Sequence, residues 1–379
     1  MDFKLSEEQK MFQNVVRNFA RKEILPVAAQ IDDEGVFPRK LVDKMAKLGL
    51  MGIPLPLQWG GAGADFISYI AALEEISYAS ASLGVILAVH TSLGAMPILR
   101  YGNKQQKMRY LPRMTSGEWI GAFALTEANS GSDASSLSTR AEKSGGHYIV
   151  NGAKMFITSG GSADTYLTFV RTQQGSGPQG ITALIVEKDT PGFTIGKIEK
   201  KMGLNGSPTA QLVFENARVP AENILGGEGQ GFEIAMSNLD VGRIGIAAQG
   251  LGIAQAAFDA ALNYSKERVQ FNQRICDFQG IQFMLSDMAT ALDAARLLTY
   301  RAASIKNDGA RCTKEASMAK LYATDAAMRI TTDAVQIFGG YGYCKEYPVE
   351  RLMRDAKVTQ IYEGSNQIQR IVIARQLTK

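Results

Sequence analysis

Ile361-Tyr362-Glu363-Gly364-Ser365-Asn366-Gln367-Ile368-Gln369-Arg370 lies close to the C-terminus of this 379-residue chain. It sets one carboxylate, Glu363, directly before a glycine and two small polar residues. Glycine lets a backbone turn where other residues are strained. A short segment upstream stands Gln336-Ile337-Phe338-Gly339-Gly340-Tyr341-Gly342, whose glycines read as a helix C-cap and turn. Both stretches lie among segments with apolar residues at three and four spacing: Phe232–Glu267, Phe278–Asn307 and Thr313–Phe338. Helices this long and apolar pack as an up-down bundle.

Working back from the bundle, helical periodicity gives way to strand signals between about Gly121 and Gly229. Tyr148–Val150, Asn151-Gly152 and Ala153–Ile157 predict a hairpin, because Asn-Gly supplies the positive φ of a type I′ turn. Further strands are expected at Thr165–Arg171, Thr182–Glu187, Phe193–Ile198 and Ala210–Val219. The first part of the chain is helical again. Ser6 and Gln9 match a capping box. A helix is expected over Pro38–Leu48, stopped by Gly49, another over Gln105–Met114, and one long apolar helical region over Phe66–Ile98. The expected class is α+β, with an N-terminal helical domain (1–120), a middle β-barrel or sandwich domain (121–229) and a C-terminal four-helix-bundle domain (230–379).

Composition narrows the function. Hydrophobic residues make up 45% and charged residues 21%, an ordinary globular balance. A net charge of +4 predicts no nucleic-acid surface. Cys276, Cys312 and Cys344 are scattered without CxxC spacing, which fits a reducing compartment. The two histidines, His90 and His147, assemble no local metal site, and no G-x-S-x-G elbow accompanies them. Met1–Leu5 begins no apolar run of signal-peptide length, and no uninterrupted apolar run reaches membrane-span length. The expectation is a protein of the bacterial cytoplasm, or of the mitochondrial matrix for a mature eukaryotic chain, that meets neither membrane nor nucleic acid. Gly227, Gly229 and Gly231 do not match the Rossmann spacing, and no Walker A motif occurs.

Two further stretches invite a chemical reading. Phe123-Ala124-Leu125-Thr126-Glu127-Ala128-Asn129-Ser130-Gly131-Ser132-Asp133 is a loop rich in free amides and hydroxyls. Met155-Phe156-Ile157-Thr158-Ser159-Gly160-Gly161 is a strand ending in small polar residues. Each alone reads as a turn or a strand end. Together with the C-terminal pair and Asp240-Val241-Gly242-Arg243, in this order along an α–β–α chain, they resemble the acyl-CoA dehydrogenases, and most closely the short-chain (butyryl-CoA) group.

The resemblance implies FAD as cofactor, a short- to medium-chain acyl-CoA as substrate and electron-transferring flavoprotein as electron acceptor, in a homotetramer. It implies that Glu363 removes the α-proton while hydride passes from Cβ to flavin N5, giving the trans-2-enoyl-CoA. Leu125 and Thr126 would hold the flavin pyrimidine, and Phe156, Ile157 and Thr158 would cover the flavin. Arg268, Gln270, Phe271 and Gln279 would reach FAD, with the Arg268 fork suited to a pyrophosphate. Gln336, Gly339 and Gly340 would approach FAD from a neighbouring subunit, and Ser365 and Gln367 would bind its adenosine part. On the substrate side stand Ser132, Asp240, Arg243 and Gly364. The chain departs from the family pattern at Ala128 (usually Pro), Ser159 (usually Asn) and Phe156 (often Trp). Branches that carry the base on the Asp240–Arg243 helix would place it at Gly242, which has no side chain, so isovaleryl-type chemistry is disfavoured. No Arg occurs between Ser77 and Pro97, which disfavours a dicarboxylic substrate. Chain-length preference is expected to turn on Leu87, Leu93 and Ile98. The rival expectations are a short-branched-chain dehydrogenase, an oxygen-reactive or desulfinating flavoenzyme of the same fold, and a non-catalytic helical scaffold.

Overall fold

A computed structural model describes residues 4–378. Met1, Asp2 and Phe3, where the N-terminal reading began, lie outside the described residues. The N-terminal helices are α1 (Glu7–Phe19), α2 (Ala28–Glu34), α3 (Arg39–Lys47), α4 (Phe66–Ala79), α5 (Ala81–Val89), α6 (Met96–Tyr101) and α7 (Lys104–Thr115). The capping box forms as read: Ser6 Oγ accepts from the Gln9 amide, and the Gln9 side chain accepts from the Ser6 amide. After α3, Gly49 turns at φ +74°. The helical segments Ala20–Ile24 and Leu25–Val27 that lead into α2 carry none of the sequence signals described above.

The apolar region over Phe66–Ile98 is not one helix. Ser80 is extended at φ −154° and caps α5 through its hydroxyl. Between α5 and α6 the chain widens into a π-helical turn, His90–Ala95, a feature found often at functional sites. By length and composition Ala81–Tyr101 could cross a bilayer, yet 94% of that window is buried inside the fold. His90 is fully buried and bridges segments, Nε2 to the Met114 carbonyl and Nδ1 from the Gly121 amide. Burial holds its pKa down to about 4, so it serves as neutral scaffold.

The middle region is a mixed eight-stranded sheet: β1 (Gly121–Ala124), β2 (Arg140–Ser144), β3 (His147–Thr158), β4 (Thr165–Arg171), β5 (Ile181–Glu187), β6 (Phe193–Ile198), β7 (Thr209–Pro220) and β8 (Ile224–Leu225). Their order is β6-β7-β3-β2-β4-β5-β8, with β1 parallel to β4. The expected hairpin at Asn151-Gly152 is overturned. These residues lie inside β3, which runs unbroken along β7 with a register shift between Val150 and Gly152. Gly152 sits at φ +142° and is pressed so close to Thr139 that a Cβ would stand 2.7 Å from its Oγ1. Asn-Gly here makes a bulge, which bends a long strand. The true turn into β3 is Gly145-Gly146.

The C-terminal helices are α8 (Gly231–Glu267), α9 (Gln279–Asn307), α10 (Thr313–Phe338), α11 (Pro348–Thr359) and α12 (Asn366–Leu377). A two-stranded ribbon, β9 (Val269–Gln270) and β10 (Gln273–Arg274), joins α8 to α9. Helices α8, α9 and α10 pack on one another, α11 and α12 pack on α10, and α4 packs on α8. One apolar core runs through all three regions, with Tyr69, Leu73, Val150, Tyr166, Ala247 and Ala327 among its members.

Candidate active site

The turn between α11 and α12 brings the fold's chemistry into one cleft. Glu363 has φ +55° and Gly364 φ +87°. Two consecutive left-handed residues reverse the chain sharply, and for a glutamate this conformation is strained. Surrounding bonds hold it. The Tyr362 amide donates to the Val358 carbonyl, and the Asn366 amide to the Gln360 carbonyl. Buried Gln369 donates through Nε2 to the carbonyls of Glu363 (3.2 Å) and Gly364 (2.8 Å).

The turn aims the Glu363 carboxyl at α8. There Gly242 leaves the room: a Cβ at that position would lie 2.3 Å from Glu363 Oε2. Oε2 is buried and has no hydrogen-bond partner. Burial pushes the Glu363 pKa up to about 7, while Arg243 and Lys320 pull it down. Arg243, itself buried, is anchored by Asp240 at 2.8 Å, and Asp240 accepts from Thr313 Oγ1 at 2.6 Å. An ionisable carboxyl with a free oxygen and a pKa near neutrality suits a general base.

The cleft beside Glu363 has a volume of about 670 Å³. Leu125 and Thr126 after β1, and Phe156, Ile157 and Thr158 at the end of β3, line it together. So do Ser132, Arg243, Glu363 and Gly364. One wall is apolar, built by Val89, Leu93, Phe232, Met236 and Leu239. Of the residues expected to set chain length, Leu93 lines the cleft, whereas Leu87 and Ile98 are buried and do not line it. Phe156 adopts φ +59° and leaves its side chain 60% exposed.

Two buried lysines were missed in the sequence. Lys154 on β3 is fully buried and donates to Glu127 Oε1 (2.7 Å) and the Leu125 carbonyl (3.2 Å). Glu127 also accepts from the Ser138 amide and hydroxyl and from the Thr139 amide. With Met155 N donating to Thr126 O at 2.8 Å, this network ties the Leu125-Thr126 loop to the strand that carries Phe156–Thr158. The second, Lys320 on α10, is also fully buried and reaches the Gly364 carbonyl. Neither position shows any local pattern that separates it from a solvated lysine.

The other predicted cofactor residues gather elsewhere. Arg268, Gln270, Gly339 and Gly340 line a separate cavity of about 430 Å³, which shares no residue with the first. The Arg268 guanidinium stands 5.4 Å from the Tyr341 ring centre. Gly339 ends α10 at φ +62°. Phe271, 89% exposed, and Gln279 and Gln336, also exposed, line neither cavity. Ser365 precedes the first turn of α12 and Gln367 is exposed beside it; both lie next to the Glu363 turn without lining the cleft.

Three family models match in succession: the acyl-CoA dehydrogenase N-terminal domain over residues 6–118, the middle domain over 122–217 and the C-terminal domain over 229–378. The chain belongs to the acyl-CoA dehydrogenase family. It is 60% identical over 373 residues to an acyl-CoA dehydrogenase of Bacillus subtilis, covering 98% of each chain. The solved butyryl-CoA dehydrogenase of Megasphaera elsdenii superposes with a TM-score of 0.98 at 48% identity, over 100% of both chains. A chain in a structure described as "Electron transferring flavoprotein of Acidaminococcus fermentans: Towards a mechanism of flavin-based electron bifurcation" gives a TM-score of 0.99 at 51% identity, again over 100% of both. Members of the acyl-CoA dehydrogenase family are flavin-dependent oxidoreductases, and this chain has their three-part fold.

Proposed function

We propose that the protein oxidises short-chain acyl-CoA thioesters between Cα and Cβ, with FAD as cofactor, Glu363 as the base and an electron-transferring flavoprotein as acceptor. One observation carries this reading. Glu363 is half-buried, its Oε2 buried and free and its pKa poised near neutrality, over a cleft that also gathers both stretches expected to hold a flavin. The donor set fits such a ring. Hydroxyls of Thr126 and Thr158 and the backbone around them supply polar edges, and Leu125, Phe156 and Ile157 supply apolar cover. Bound there, FAD supplies the hydride acceptor.

The protein's own share is proton transfer and positioning. Glu363 takes the α-proton, and Gly242 keeps the path of its carboxylate clear. Arg243, fixed by Asp240, supplies a positive field that favours the ionised base. The apolar wall excludes water from the carboxylate. The 48% identical Megasphaera protein, a butyryl-CoA dehydrogenase, supports a short acyl chain. The Acidaminococcus structure supports an electron-transferring flavoprotein as partner. The cavity of Arg268, Gln270, Gly339 and Gly340 holds residues expected at FAD yet shares none with the Glu363 cleft, which supports a cofactor site shared between copies; a homotetramer is the assembly proposed.

The test is the purified protein's absorbance. A yellow protein whose flavin bands bleach with butyryl-CoA, and more slowly across a C4 to C16 panel, is expected. Retention of no flavin, or fastest bleaching by C16, contradicts the reading. Light scattering on the same sample reads the assembly.

A further inference from the structure

One buried charge that the mechanism above does not use lies against the active-site turn. Lys320 lies in the N-terminal third of α10 with no exposed surface. Its Nζ donates to the Gly364 carbonyl at 2.9 Å and to Asn366 Oδ1 at 2.8 Å. Asn366 is in turn fixed: its Nδ2 donates to Thr324 Oγ1 and Asp325 Oδ1. A buried ammonium is costly to desolvate, and α10 needs no lysine there for its own hydrogen bonds. What the lysine reaches is the residue directly after the base.

We propose that Lys320 is the positioning residue of this active site: its ammonium clamps the strained Glu363-Gly364 turn from α10 and adds a positive charge beside the base. This rests on the reading of Glu363 as the base. The clamp holds two residues at positive φ, a conformation that persists only where the surroundings over-determine it. Gln369 grips the same carbonyl from α12, so the turn is held from two helices at once. The ammonium's donors go to oxygens of the turn and of Asn366, and none goes to the carboxylate. Charge therefore acts on Glu363 without a hydrogen bond that would quench it.

Several groups bear on this titration. Arg243, paired with Asp240, faces Glu363 from α8, and Tyr69 acts from α4. Lys320 and Asp325 stand on α10, and Tyr362 is adjacent in the turn. Burial drives Glu363 up and Lys320 down, each to about 7, while each partner favours the other's charged form. The two therefore titrate as a pair. Removing the lysine leaves Arg243 as the single cation opposing the desolvation of Glu363.

The experiment uses the flavin-loaded enzyme and 3-thiabutyryl-CoA, which has an acidic α-carbon but no Cβ hydrogen to give. Its carbanion beside oxidised flavin absorbs at long wavelength, so this band reports α-proton removal with no turnover. For Lys320→Met the pH midpoint of the band is expected to rise by about one unit or more, the usual effect of losing a nearby opposite charge. Lys320→Gln keeps a donor without the charge and is expected to show the same shift with less thermal destabilisation. Midpoints equal to that of the unaltered enzyme in both variants overturn the proposal. If both lose their flavin, Asn366→Ala, which removes one of the ammonium's two acceptors and keeps the lysine, must raise the midpoint by a smaller amount; an unchanged midpoint overturns the proposal equally. Glu363→Gln in the same assay separates the two readings: a band that persists there refutes Glu363 as the base, whatever Lys320 does.

Discussion

Two fully buried lysines stand near glutamates in this molecule, and the glutamates behave in opposite ways. Lys154 meets Glu127 directly at 2.7 Å, and the carboxylate accepts three further bonds from Ser138 and Thr139. Burial alone would raise the Glu127 pKa, but Lys154 and these donors overcome it and hold it down to about 2. Lys320 instead spends its donors on the Gly364 carbonyl and Asn366, and Glu363 keeps an oxygen without a partner. Its pKa rises to about 7. The same residue types thus make a lock in one place and a base in the other. The deciding variable is direct contact with the carboxylate: the Lys154 charge lies against Glu127 and hydrogen bonds add to it, whereas no donor reaches Glu363 Oε2.

The contrast breaks first at the base. Glu363→Gln preserves shape and removes proton affinity, so turnover of butyryl-CoA is expected to fall about 10²–10⁴-fold while the flavin spectrum survives. Stopped-flow bleaching measures it, and a loss under tenfold means that another group takes the proton. At the lock the expectation reverses. Lys154→Met leaves the Glu127 carboxylate buried without its cation, a change that costs on the order of 3–5 kcal/mol. Denaturant unfolding should show that loss, and the ratio of flavin to protein should fall, because Lys154 also holds the Leu125 carbonyl. Unchanged stability would mean that the two pairs do not differ as described.

A third substitution sharpens the comparison without touching either lysine. Gly242→Ala puts a Cβ 2.3 Å from Glu363 Oε2. Alanine is the better helix former, so stability of α8 itself should not suffer, yet the carboxylate must move. A displacement of about 1 Å can cost on the order of 10²-fold in rate. Melting temperature and kcat/KM measured together decide it: both unchanged would mean that the turn has slack.

These sites differ in how far they could be read from the chain. Glu363 and the stretches at Leu125-Thr126 and Phe156–Thr158 stand in motifs, and the fold brings them to one cleft. The sequence shows that Gly242 carries no side chain, but only the fold shows that this makes the room for Glu363. Lys154 and Lys320 carry no local mark, because burial of a lysine is decided by neighbours far along the chain. Asn151-Gly152 misled for the converse reason. Its turn chemistry is real, but pairing of β3 along β7 outweighs it and turns the same residues into a bulge. Ser80 was lost inside a uniform apolar run, where periodicity gives no sign of a cap.

The smallest expected effect is the most direct test of the contrast, because it reads both pairs through stability. Glu127 has a depressed folded-state pKa, so its contribution is present above the unfolded value and is lost as pH falls toward about 2. Glu363 has the opposite sign. Its folded-state pKa is raised, so between the ordinary carboxylate range and about pH 7 the folded protein binds more protons than the unfolded chain. Stability from this group must therefore decline as pH rises through that window. Glu363→Gln abolishes the term. The variant should melt above the unaltered protein at pH 8 by roughly a few degrees, with the advantage shrinking toward pH 5. Lys320 works against the difference, because loss of the Glu363 charge leaves its ammonium with one partner fewer. A melting-temperature difference that stays flat from pH 5 to 8 would show that the Glu363 carboxyl is not held in its uncharged form, and the two pairs would then be alike.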